Sequence, residues 1–301
     1  MSRRGKSRQK LVEEFRDAVR GLPPSEQNGA SESERQWQQR RLELRRLILE
    51  ENPENFLQWP FLYEIMIYQP GFSELEALMK MPDWETYWRK GIEESDVGNP
   101  KHCHWYSRSS PNLIHQAYVL SRFTERTGRR IEEFETVFEI GGGYGSFCRL
   151  AFQLGFTGRY LLYDLPEFLL LQRFFLKCLG YSWKESAEVS VGTQGVIVGA
   201  GDREELERLV RLKQGPSLFV SVGAITDTPL EFRTEFLSRV GRFDAFLVFF
   251  QERFREVDNV KWCEEFRRSR PDFSWQEWED PLSPEGPVRW RFCIGLSAGN
   301  L

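Results

Sequence analysis

From about residue 131 onward, apolar residues alternate between short continuous runs and helical spacing, and the switches predict strands and helices in turn. Val137, Phe138 and Ile140 make a buried run. Phe147, Leu150, Ala151 and Leu154 recur as one helical stripe, and Tyr160-Leu161-Leu162-Tyr163 forms a second run. Pro166 to Cys178 reads as a helix apolar on most sides. Val189 to Val198 reads as a third strand interrupted by Gly192 and Gly195, and Asp202-Arg203-Glu204-Glu205 opens a helix. Leu218–Val222 is the fourth strand, Pro229–Val240 the next helix, and Phe246–Phe250 a continuous apolar run suited to a central parallel strand. Near the end, Val288, Trp290, Phe292 and Ile294 alternate with polar residues, and Asp272–Trp278 precedes them across a Pro/Gly loop. That pattern predicts a terminal hairpin. Repeated βα units of this kind predict an α/β fold around a largely parallel sheet.

Upstream the pattern differs. Residues 1–33 are polar, with breakers at Gly21-Leu22-Pro23-Pro24 and Asn28-Gly29-Ala30-Ser31, and predict a flexible basic arm with a short helix at Leu11–Val19. Residues 34–130 predict an all-helical cap. Its first helix, Glu34–Glu51, sets Trp37, Leu44, Leu47 and Ile48 on one face, and two aromatic-rich segments follow, broken at Pro70-Gly71. Residues 131–301 form the predicted core.

The first strand runs into Glu139-Ile140-Gly141-Gly142-Gly143-Tyr144-Gly145, and the second ends on Asp164. Glycines let a backbone turn tightly and let a ligand approach where a Cβ would collide. An acid at the tip of the second strand is placed to accept hydrogen bonds from a ribose. A dinucleotide fingerprint requires glycine at the sixth position counted from Gly141, and Ser146 stands there. The spacing that fits is acid-x-G-x-G-x-G headed by Glu139. An acid beside the turn repels a pyrophosphate and suits a ligand with a cationic tail. In these features the chain resembles the class I S-adenosylmethionine-dependent methyltransferases. The resemblance implies a Rossmann-like sheet whose last strand is antiparallel, S-adenosylmethionine as cofactor, and a cofactor site at Glu139, Gly141, Gly142, Gly143, Tyr144, Gly145, Asp164 and Leu165. A nicotinamide dehydrogenase is the reading that Ser146 and Glu139 disfavour.

Over roughly residues 90–296 the chain also resembles a family of sugar O-methyltransferases. The residues that carry this are the glycine segment, Tyr163-Asp164-Leu165-Pro166-Glu167, Ile225-Thr226-Asp227-Thr228-Pro229, Phe250-Gln251 leading to Asp258-Asn259, Gly98-Asn99-Pro100, and Ser109 to His115. Two positions depart from that family's pattern. Asp227 stands where the family tends to have Glu, and Pro281–Pro287 replaces a His-containing loop.

The 301 residues are 40% hydrophobic, 29% charged and 14% aromatic, an ordinary globular composition with aromatic residues to spare for a ring-stacking pocket. No apolar run reaches the ~20 residues of a membrane span, and no signal-peptide core is seen, so a cytoplasmic chain is expected. The five cysteines (Cys103, Cys148, Cys178, Cys263 and Cys293) are scattered, which reads as reduced thiols. A net charge of −4 provides no field for nucleic acid, and the cluster Arg3, Arg4, Lys6, Arg8 and Lys10 reads as a solvated tail.

Transfer to a hydroxyl calls for a base. Of three histidines, His115 lies on a helix predicted from Pro111, and its rival role is a core residue satisfied by a carboxylate or backbone partner. Asp227 follows the fourth strand and Glu252 the fifth, both at the sheet edge where open α/β folds bind ligands. Asp202 is read either as an adenine contact or as a helix N-cap with Glu205 in a capping box. His102-Cys103-His104 has too few partners for a recognised metal set, and no metal is expected. The expectation is an O-methyltransferase acting on a sugar-like small molecule. Its rivals are methylation of a phenolic or peptide-derived metabolite, or a cofactor-binding module without turnover.

Overall fold

The computed structural model describes residues 3–24, 32–66, 72–190, 192–255, 257–283 and 289–300. The breakers Asn28-Gly29-Ala30-Ser31 and Pro70-Gly71, Val288 with most of the loop before it, and the side chains of Arg3, Arg4 and Lys6 lie outside this description.

Eight strands form one sheet: β1 (Thr136–Ile140), β2 (Arg159–Tyr163), β3 (Ser182–Lys184), β4 (Val196–Ala200), β5 (Ser217–Val222), β6 (Ala245–Gln251), β9 (Phe273–Glu279) and β10 (Trp290–Ser297). Their order is β3-β4-β2-β1-β5-β6-β10-β9; β7 (Arg253–Phe254) and β8 (Val257–Asp258) make a separate small ribbon. The strands from β3 to β6 pair in parallel, while β10 runs antiparallel between β6 and β9. This is the expected parallel sheet closed by a terminal hairpin. The crossing point lies at β1, where the chain first builds outward to β2 and then returns to β5 on the other side. Loops leaving the strand ends there diverge and open a crevice.

Alternation along each strand divides the core into two faces. Val137, Leu162, Val220, Leu247, Phe292 and Ile294 pack on one side with α6 (Pro111–Thr127), α7 (Ser146–Gln153) and α8 (Pro166–Cys178). Phe138, Leu161, Val198, Phe219, Phe246 and Val248 face α9 (Arg203–Arg211), α10 (Leu230–Val240) and α11 (Asn259–Arg268) on the other. The N-terminal helices α1 (Arg3–Arg20), α2 (Glu32–Glu50), α3 (Pro60–Ile65) and α4 (Phe72–Met79) add their apolar side chains to the first face, and the short α5 (Arg89–Gly91) follows them.

Four segments differ from the sequence expectation. The helix read at Leu11–Val19 runs over Arg3–Arg20 and packs on the core, so residues 3–20 are not a loose arm. Phe15 and Val19 are buried, and Phe15 stacks on Phe174 of α8 with ring centres 4.7 Å apart. The third strand of the alternation does not begin at Val189. Gly192 and Gly195 hold φ of 86° and 65°, which breaks the extended backbone until Val196. Finally, β3 and α11 lay in stretches to which the sequence reading gave no element.

Candidate functional site

The crevice at β1 is a cavity of about 790 Å³, within the ~300–1,000 Å³ typical of ligand pockets. Its floor is the glycine segment after β1. Gly141 donates its N–H to the Tyr163 carbonyl at 2.9 Å and Gly145 donates to Gly142 at 2.8 Å, which curls the loop toward α7. A Cβ at Gly142 would stand 2.8 Å from the Leu162 side chain and 3.1 Å from Glu139 Oε2. Gly143 has φ of 59°, and a Cβ there would meet only Met66, at 3.6 Å or more. Met66 lines the cavity, so a side chain at 143 would occupy it.

Glu139 is buried, and its Oε2 accepts from the Tyr160 hydroxyl at 2.7 Å. Asp164, at the tip of β2, accepts from the Leu165 N–H at 2.8 Å and from Gln172 Nε2 at 2.7 Å. Gln172 also donates to the Gly143 carbonyl at 3.0 Å, so one amide from α8 ties the acid to the loop. Nothing in the local sequence around Gln172 singled it out; only the fold brings it there. Burial pushes the Glu139 carboxyl up to about 8 and Asp164 up to about 7.

Glu139, Gly141, Gly142, Gly143, Tyr144, Asp164 and Leu165 all line the cavity together. Gly145 does not; it is the left-handed N-cap of α7, below the lining. Tyr144 accepts a hydrogen bond from Asn112 Nδ2 at 3.0 Å, which joins the loop to α6.

Two of the three candidate bases share this cavity. His115, on α6, lines it and is 2% exposed, with its ring edge-on to Phe249. Its Nδ1 lies 3.0 Å from Glu74 Oε1. Asp227, in the turn after β5, lines it too and accepts from Gln251 Nε2 at 2.8 Å. Burial raises the Asp227 carboxyl to about 6, held back by Gln251 and Arg233. Fully buried Arg233 anchors that turn by donating to the Thr226 and Thr228 carbonyls and to Asn259 Oδ1. Glu252 stands apart. It lies outside the lining and pairs with Arg291 at 2.8 Å, because the chain turns away after β6 into the β7–β8 ribbon. Asp202 is an N-cap: its Oδ1 accepts from the Glu205 N–H at 2.8 Å, and Glu205 accepts from Gly201 at 2.7 Å.

The roof comes from the N-terminal helices. Trp37, Gln38 and Arg41 of α2 and Tyr63 and Met66 near α3 line the side facing the sheet. Arg41 and Arg45 grip the fully buried Glu167 at the start of α8, at 2.7 and 2.6 Å. Ser33 donates to the Asp227 carbonyl, and Arg255 reaches Gln36 at 2.7 Å. Arg41 is the one arginine or lysine of the described lining, and Glu167 already engages it. The cavity is therefore rich in acids and short of cations. Among the described residues no group of three or more His, Cys, Asp or Glu side chains could hold a metal ion. None of the described helices is long and apolar enough to cross a membrane.

No protein-family model matches the chain, and no curated protein matches it. Solved structures do. The magnesium protoporphyrin IX methyltransferase of Synechocystis PCC 6803, with bound SAM, is 15% identical over 61% of this chain and 80% of that one, at a TM-score of 0.38. The methyltransferase domain of bacterial CtHen1-CN is 10% identical over 62% and 100%, at 0.41. The 1,6-didemethyltoxoflavin N1-methyltransferase of Burkholderia thailandensis, with bound S-adenosylhomocysteine, is 13% identical over 60% and 77%, at 0.37. By its strand order and antiparallel terminal hairpin, the chain has the Rossmann-like fold of the class I methyltransferases.

Proposed function

We propose that this protein transfers a methyl group from S-adenosylmethionine to a hydroxyl of a small, sugar-like acceptor. The observation that carries the reading is the pairing of a glycine floor with two desolvated acids, Glu139 and Asp164, in one cavity. A cationic ligand restores to such acids the ionised form that burial disfavours. Glu139 meets the aminoacyl end, Asp164 accepts from the ribose hydroxyls, and the open side of Gly143 leaves room for the ligand. S-adenosylmethionine supplies a sulfonium-bound methyl carbon open to in-line attack. The protein's own task is to exclude water, align the acceptor and take its proton. Alignment in a closed cavity contributes on the order of 7 kcal/mol in favourable cases, and a positioned base roughly a hundredfold. His115 is the base of this scheme and Asp227 the acceptor's hydrogen-bonding partner.

Trp37, Tyr63, Phe232 and Trp290 in the lining offer faces on which a sugar ring can stack, and a phenol can stack there as well. Labelled S-adenosylmethionine and acceptor panels of free sugars, glycosides and phenols separate these substrates. Gly143→Val is expected to abolish binding of S-adenosylhomocysteine in calorimetry while the variant stays folded. Absence of heat and of thermal stabilisation with the unmodified protein would reject the cofactor. Binding without turnover on any panel would favour a non-catalytic module.

A further inference from the structure

Glu74 sits behind the cavity, in the first turn of α4, and does not line it. It is 2% exposed, it reaches His115 Nδ1 through Oε1, and its Oε2 is buried without a hydrogen-bond partner in the structure. A buried carboxylate in that state is costly unless a positive charge forms beside it. We propose that Glu74 is a positioning residue that holds His115 in its Nδ1-protonated tautomer and stabilises the imidazolium formed when Nε2 takes the acceptor's proton. This rests on the methyl-transfer reading for the identity of the proton, not for the state of the ring.

The chemistry follows from the donor inventory. An ionised carboxylate only accepts, so a hydrogen bond at 3.0 Å to Nδ1 requires the proton on Nδ1. Nε2 then carries the lone pair and is the nitrogen assigned to the proton of an acceptor in the cavity His115 lines. In transfer, the acceptor oxygen forms a bond to the methyl carbon, the C–S bond breaks with its electron pair on sulfur, and the hydroxyl proton moves to Nε2. The products are a methyl ether, a neutral thioether and an imidazolium offset by Glu74, which later yields its proton to water. The same arrangement of base and orienting carboxylate serves nucleophile activation elsewhere.

Other charged and titratable groups among the described residues face the same region. Asp280, in the turn after β9, contributes a negative charge toward His115 and accepts from the Tyr118 hydroxyl at 2.6 Å. Tyr118 and Arg122 follow on α6, Asp227 shares the cavity, and β6 presents Phe249. Glu74 is a carboxylate in hydrogen-bonding contact with the ring.

The test needs no acceptor. The chain has three histidines, so nitrogen-15 NMR of histidine-labelled protein resolves His115 from His102 and His104. The neutral ring of His115 is expected to show a protonated Nδ1 and a pyridine-like Nε2. In Glu74→Ala the Nδ1-protonated tautomer is expected to lose its dominance, while Glu74→Gln, whose amide oxygen still accepts, is expected to keep it. The Nε2-protonated tautomer in the unmodified protein overturns the proposal whether or not the variant folds. An unchanged tautomer in a folded Glu74→Ala overturns it too. S-adenosylhomocysteine added to the same samples keeps the two readings apart. Failure to bind condemns the cofactor assignment while the tautomer stands, and binding with the wrong tautomer condemns the role of Glu74.

Discussion

Replacing Glu139 with glutamine isolates the electrostatics of the cavity. The side chain keeps its shape, and its amide oxygen can still accept from Tyr160. In the unliganded protein burial raises the Glu139 carboxyl from 4.5 to about 8. Between those limits the folded chain holds the proton and the unfolded chain releases it, so folding stability falls as pH rises through this window and levels off above about 8. At ~1.4 kcal/mol per pH unit the interval sets a ceiling of about 5 kcal/mol on that loss. Asp164, raised from 3.8 to about 7, acts in the same direction but is present in both proteins. The difference between variant and parent is therefore the contribution of Glu139 together with its repulsion of Asp164. Urea unfolding at pH 5.5 and pH 8.0 is expected to show the variant gaining on the parent by a few kcal/mol at the higher pH. S-adenosylhomocysteine, whose aminoacyl nitrogen is the partner assigned to Glu139, is expected to lose at least tenfold in affinity for the variant. Parallel pH profiles for the two proteins would refute the claim that this acid is held in a desolvated state.

Asp227→Asn is expected to leave S-adenosylhomocysteine affinity within about twofold and to slow methyl transfer by roughly ten- to a hundredfold in a labelled-donor assay. Removing both clamping arginines, Arg41→Ala with Arg45→Ala, strands the fully buried Glu167. It is expected to cost on the order of 3–5 kcal/mol in urea unfolding and to speed cofactor release in stopped flow.

The half of the site that depends on neighbouring residues was readable before any coordinates. Glu139 through Asp164 is one strand, one turn, one helix and one strand, and each piece carries its own periodicity. The helix expected at Pro166–Cys178 has those bounds in the structure because proline starts it and a continuous apolar stripe sustains it. The other half was hidden because it depends on contacts between distant segments. Glu74 and His115 are 41 positions apart, and Arg41 and Glu167 are 126 apart. Glu167 entered the sequence reading only as the end of a family-like segment, and Glu74 had no pattern around it at all. The three residues of β3 are too short to show an alternation, and their edge position leaves them half-exposed. Glu252 looked equivalent to Asp227 because both follow strands at the same sheet edge. The β7–β8 ribbon turns one aside, while the short 3-10 turn at Ile225–Asp227 holds the other at the crevice.

The placement of α2 over the crevice bears on how the molecule comes into being. The lining residues of the N-terminal helices have been synthesised by Met66, yet Trp290, on the last strand, completes the enclosure. At ~5–20 residues per second, roughly ten to forty-five seconds of translation separate the two. Until α8 has been made Leu44, Leu47 and Ile48 lack a neighbour that helps to bury them, so a nascent chain presents an uncovered apolar helix before it has anything to bind. Cofactor added during synthesis should thus rescue only finished chains, and a ribosome stalled before α8 should display α2 to whatever chaperone is at hand.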